Sequence, residues 1–139
     1  MSVLADLFLA SKDSAAAYDE TQRCAEDDRV QSNRITPLEL SMLLAILERS
    51  AWSVDMMDQF EQILIVDGGE RLIHQVSPRL VERLATLSPE GVSEVARSWS
   101  ATDEIACAPE EIEPLIRDLV SLAARARATS RQMFLWNCV

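Results

Sequence analysis

The chain has 139 residues, 48% of them hydrophobic, and a formal net charge of −10 at pH 7. One domain of this length hides about two-thirds of its unfolded surface and needs neither a metal nor a disulfide to stay folded. The negative charge repels a phosphate backbone and excludes a nucleic-acid role, while three widely spaced cysteines without a C-x-x-C pair argue against a disulfide framework or a zinc site.

The opening stretch "MSVLADLFLA" is apolar, but Asp6 interrupts it and it has no basic leading region. It is too short and broken for a signal or spanning helix, so the expectation is a cytoplasmic protein with no membrane partner. Cys138 stands second from the end rather than fourth, which does not fit prenylation. Residues 3–11 are apolar on both alternating faces and predict a strand covered on both sides. Ser11 then caps a predicted helix reaching about Cys24, with Asp13 in its first turn. Residues 25–34, "AEDDRVQSNR", show neither apolar period nor turn glycine and are expected to be an exposed connection.

The clearest local signal follows. Thr36 and Glu39 have capping-box spacing and Pro37 occupies the first helical position, so a helix starts here. Its nearly continuous apolar run from Leu40 to Leu47 predicts the central buried helix. Ser53 caps a second segment in which Met56, Met57, Phe60, Ile63 and Leu64 recur at helical spacing, more readily as core than as an adaptable binding stripe.

Asp67-Gly68-Gly69 stops that segment, and "ERLIHQV" alternates as a strand. The Asp-Gly-Gly triplet lacks the fuller glycine pattern and basic residue of a phosphate loop, so it is a turn and no cofactor is expected. Ser77-Pro78 and Ser88-Pro89 open two helices, carrying Leu80, Val81, Leu84 and Leu87, then Val92, Val95, Ala96 and Trp99. Residues 103–113, "DEIACAPEEIE", are expected to form an acidic loop before a final helix starting at Pro114, with acids at its positive end and Arg125, Arg127 and Arg131 towards its negative end. The closing "RQMFLWNCV" is apolar on both faces and predicts a buried strand between the first strand and the one holding His74, since exposed it would be an aggregating edge.

These elements predict a single α+β domain over residues 1–139, about six helices packed on a sheet of about three strands that includes both terminal segments. The segment "RLIHQVSPRLVERLATLSPE", a strand running into Ser-Pro-capped helices, together with the closing helix and terminal strand, resembles the uncharacterised bacterial YfbM-like domain proteins. The resemblance covers residues 35–139. It implies a small bacterial α+β domain, akin to immunity proteins that neutralise toxins.

Chemistry is sparse. His74 is the sole histidine, nothing near it has metal-ligand spacing, and no metal site is expected. A thiol nucleophile activated by His74, with Cys107 the most accessible candidate, defines the enzymatic alternative, although a histidine between Leu72 and Val76 more often plays a structural part. Carboxylate pairs abound in polar segments, where nothing shifts them towards acid–base catalysis. The favoured expectation is a protein-binding role in which Asp19, Glu20, Glu26, Asp27, Asp28, Glu110 and Glu111 complement a basic partner. A homodimer joined through apolar surface is a third possibility.

Overall fold

The computed structural model describes residues 3–139. Their strands are β1 (Leu4–Ala10), β2 (Arg29–Asn33), β3 (Gln62–Val66), β4 (Arg71–Gln75) and β5 (Gln132–Cys138), and their α-helices are α1 (Tyr18–Thr21), α2 (Pro37–Glu48), α3 (Pro78–Ala85), α4 (Pro89–Ser100) and α5 (Pro109–Ala128). All strand pairs are antiparallel, in the order β2-β1-β5-β4-β3. The architecture is α+β, but the sheet has five strands among the described residues rather than about three.

The terminal strand lies at the centre. β5 pairs with β1 from Leu4↔Cys138 to Ala10↔Gln132 and with β4 from Arg71↔Cys138 to Gln75↔Phe134. Its alternating side chains serve two cores. Met133 and Leu135 join Ala5, Leu7 and Leu9 of β1 against the helices, whereas Phe134 and Trp136 join Phe8 and Ile73 on the opposite face. Buried Asn137 fastens this arrangement, its Nδ2 donating to the carbonyls of Leu4 at 3.2 Å and Ile35 at 2.7 Å.

The helical layer follows its start signals. Glu39 reaches back to accept the Thr36 backbone N–H at 2.7 Å, closing the first turn of α2. Leu40, Leu43 and Leu44 are fully buried, and buried Trp99 of α4 donates its indole N–H to the Glu39 carbonyl at 3.1 Å. Ser88 caps α4 by accepting the Gly91 N–H at 3.1 Å.

Four expectations need correction. The helix after Ser11 shrinks to a 3-10 turn at Ala15–Ala17 and the single turn α1, closed by Gln22 in a left-handed conformation. Residues 29–33 are not a free connection but edge strand β2, which needs little apolar pattern because Val30 alone packs against the helical core. The segment after Ser53 makes only a 3-10 turn at Val54–Gln59 before turning into β3. A register shift between Gln62 and Leu64 puts Ile63 and Leu64 against the same core, which breaks strand alternation and imitates a helical spacing. Finally, α5 starts at Pro109, so Pro114 lies inside it at an exposed position where water can solvate the carbonyl left without a partner.

Candidate functional site

Helices cover one face of the sheet, and the short excursion between β1 and β2 covers the other. Its anchor is Tyr18, whose ring stacks on Phe8 with centroids 4.0 Å apart and meets Trp136 edge-on at 6.3 Å. The Tyr18 hydroxyl donates to Asp6 Oδ2 at 2.7 Å, Gln31 Nε2 donates to Asp6 Oδ1 at 3.1 Å, and Arg29 Nη1 donates to the Tyr18 oxygen at 3.2 Å. Burial, reinforced by the hydrogen bond to Asp6, pushes the Tyr18 phenol up to about 12.

Beside this group lies a second one. Asp19 Oδ1 accepts the Trp136 indole N–H at 3.0 Å and Arg71 Nε at 2.8 Å, while Arg71 also donates to Asp67 at 3.1 Å. The Trp136 hydrogen bond, helped by Arg71, holds the Asp19 carboxyl below its usual range. The Asp19 side chain is only 6% exposed, so it is a tether for α1 and not the surface acid expected from its polar neighbourhood.

Asp28 is likewise internal. Arg131 clamps both of its oxygens at 2.7 Å and Arg125 donates to Oδ1 at 2.5 Å, which holds the carboxyl far below its usual range and ties the start of β2 to α5. Glu20, Glu26 and Asp27 are exposed, as expected. Glu110 and Glu111 are exposed too, although Glu111 accepts the Ala108 N–H at 3.0 Å and so closes the first turn of α5. The seven acids do not form one patch: Glu110 lies about 22 Å along α5 from Arg125, which touches Asp28.

What sequence reasoning missed is the company that Glu26 and Asp27 keep. With Asp118 of α5 they line an open groove of about 470 Å³ beside β2, whose other charged lining residues are Arg29 and Arg125. On the opposite face of β2 a hollow of about 300 Å³ is lined by Leu4, Asp6, Gln22, Gln31, Asn33 and Trp136. The hidden signal was Asp6, a lone acid in an otherwise apolar strand.

The alternative pair does not assemble. His74 sits on the helical face of β4, opposite Leu135, half-buried, with its Nδ1 unpartnered among the described residues, and burial pushes its pKa down. Cys107 lies in the connection before α5, in a recess with Arg34, Ile35, Glu104 and Ile112 next to the end of β2, three strands from β4. Burial and then the nearby Glu111 push its thiol up, away from the thiolate. Among the described residues, no three His, Cys, Asp or Glu side chains converge as metal ligands, and no helix is long and apolar enough to cross a membrane.

No family model, curated protein or solved structure matches the chain. The fold and the site define a class in physical terms: an acidic α+β domain whose edge strand β2 has a hollow on one face and, on the other, a groove lined by three carboxylates and two arginines.

Proposed function

We propose that this is a cytoplasmic protein-binding domain that recognises a basic protein partner. The observation that carries the proposal is how the acids divide. Asp19, Asp28 and Glu48 are matched internally by arginines, whereas Glu26, Asp27 and Asp118, which form no ion pair among the described residues, outnumber the two arginines of one groove beside an open strand, and of those Arg125 is taken up by Asp28 and Arg29 by Tyr18 and the Gln22 carbonyl. Exposed like charges repel one another and weaken the fold slightly; a cationic partner relieves that repulsion and is drawn in by it. An inhibitor or immunity role, of the kind the YfbM-like resemblance implies, would use such a surface. Three free, half-buried cysteines support a reducing compartment.

The test is association kinetics with an arginine-rich polypeptide at rising salt. The triple variant Glu26→Gln, Asp27→Asn, Asp118→Asn is compared with Glu90→Gln, Glu94→Gln, Asp103→Asn, which removes the same charge elsewhere. The groove triple is expected to slow association by about tenfold and to flatten its salt dependence. Equal slowing by both triples would reduce the effect to net charge and defeat the proposal.

A further inference from the structure

β2 is an edge strand whose outer backbone groups face no other strand among the described residues. Natural edges are normally blunted, because an unpaired row of N–H and C=O groups is a template for another chain. β3, at the other edge, carries a bulge, and its neighbouring Glu61 pairs with Lys12. β2 is different: it is regular over five registered pairs with β1, and its two faces open into cavities of opposite aspect, the Asp6 hollow and the Asp118 groove.

Asp6 is the telling group. It is 5% exposed, and among the described residues its two oxygens accept only from neutral donors, the Tyr18 hydroxyl and the Gln31 amide. Among the described residues, Asp19, Asp28 and Glu48 are each ion-paired with arginine, and buried Glu39 is occupied in closing α2; Asp6 has no ion pair. Arg29 donates to the Tyr18 hydroxyl and not to Asp6, on which it acts through charge alone. Each carboxylate oxygen retains acceptor capacity, and Trp136 lines the same hollow.

We infer that β2 is extended by an extended, basic segment of the partner, added as a sixth strand, with one arginine or lysine side chain lying across Gln31 towards Asp6 and Trp136. Successive side chains of an added strand point to opposite faces, so its alternate positions fall into the Asp6 hollow and the Glu26, Asp27 and Asp118 groove. The spacing suits this arrangement: an added strand lies about 9.5 Å from β1, two strand intervals, most of which an extended arginine side chain covers. Backbone pairing supplies affinity and the two cavities supply the choice of sequence. The inference rests on the basic-partner reading and adds the mode of engagement and the surface.

The experiment uses the full chain and a synthetic peptide of alternating arginine and threonine, with an otherwise identical peptide N-methylated at every backbone amide, which keeps the charge but leaves no N–H on either edge to pair as a strand. The unmodified peptide is expected to bind at least tenfold more tightly and to protect the amides of residues 29–33 from hydrogen exchange, leaving residues 62–66 unchanged. Asp6→Asn is expected to weaken binding tenfold. Gln31→Lys, an exposed substitution that fills the hollow with its own cation, keeps the test decisive if Asp6→Asn fails to fold, and is expected to do the same. Equal binding of both peptides, or unaltered binding to Gln31→Lys, would overturn strand addition while leaving a basic-partner role standing. Failure of every basic peptide to bind would overturn both.

Discussion

The indole N–H of Trp136 donates to the Asp19 carboxylate at 3.0 Å, joining residues 117 positions apart and pinning α1 over the centre of the sheet. Trp136→Phe keeps most of the apolar burial and removes the donor. It is expected to cost about 1–2 kcal/mol in urea unfolding, and to move the Asp19 carboxyl back towards its ordinary range in an NMR titration.

Tyr18 is the only tyrosine, so its ionisation can be followed by ultraviolet absorbance without interference from a second phenol. The folded protein is expected to keep the phenol protonated until about pH 12. Because the folded value lies above the unfolded one of 10.0, the folded state holds the proton more tightly. Stability is therefore fully present below pH 10 and declines as the pH climbs from 10 towards 12. Tyr18→Phe should flatten that alkaline decline.

At the acid end the sign reverses. Asp28, held down by Arg131 and then Arg125, and Asp19, held down by Trp136 and then Arg71, take up protons more readily unfolded than folded. Stability is expected to be level above the ordinary value of 3.8 and to fall steadily below it. Asp28→Asn should cost about 2 kcal/mol at neutral pH, less than a fully buried pair because both arginines are partly solvated, and should shallow the acid slope.

Phe134 is fully buried on β5, between the strands that begin and follow the middle of the chain. Phe134→Ala is expected to destabilise by about 3–5 kcal/mol. Removing residues 133–139 takes away the central strand and should abolish cooperative melting. A truncated chain that still melts in one sharp transition would contradict the observed pairing.

Thiol labelling against pH distinguishes binding from nucleophilic catalysis. Cys107 is expected to react only above its ordinary range, since burial and Glu111 both disfavour the thiolate. Fast modification near neutrality would revive the Cys107 alternative.

The legible parts of this fold are those where local chemistry and burial agree. Thr36, Pro37 and Glu39 announced α2, the two Ser-Pro pairs announced α3 and α4, and the doubly apolar "MFLWNCV" announced a strand with neighbours on both sides. The edges were illegible for opposite reasons. β2 is half solvated and has almost no apolar pattern to display, whereas β3 has too much, because its bulge turns consecutive residues to one side. The acids misled for a related reason: Asp19 and Asp28 occur in polar stretches, but long-range partners such as Trp136 and Arg131 draw them inside, and no local spacing records that. The hollow beside Asp6 requires Gln22, Gln31 and Trp136 to meet from three separate stretches, so only the fold reveals it.

The central place of β5 dictates when the molecule can come together. As the chain emerges from the ribosome, β1 with β2 and β3 with β4 are two half-sheets that nothing in the sheet connects, and the bond from Asn137 back to Leu4 spans 133 positions. Until the last segment arrives, both inner flanks stand open to wrong partners. Nascent protein should depend on chaperone shielding up to that moment, then close in a single late step.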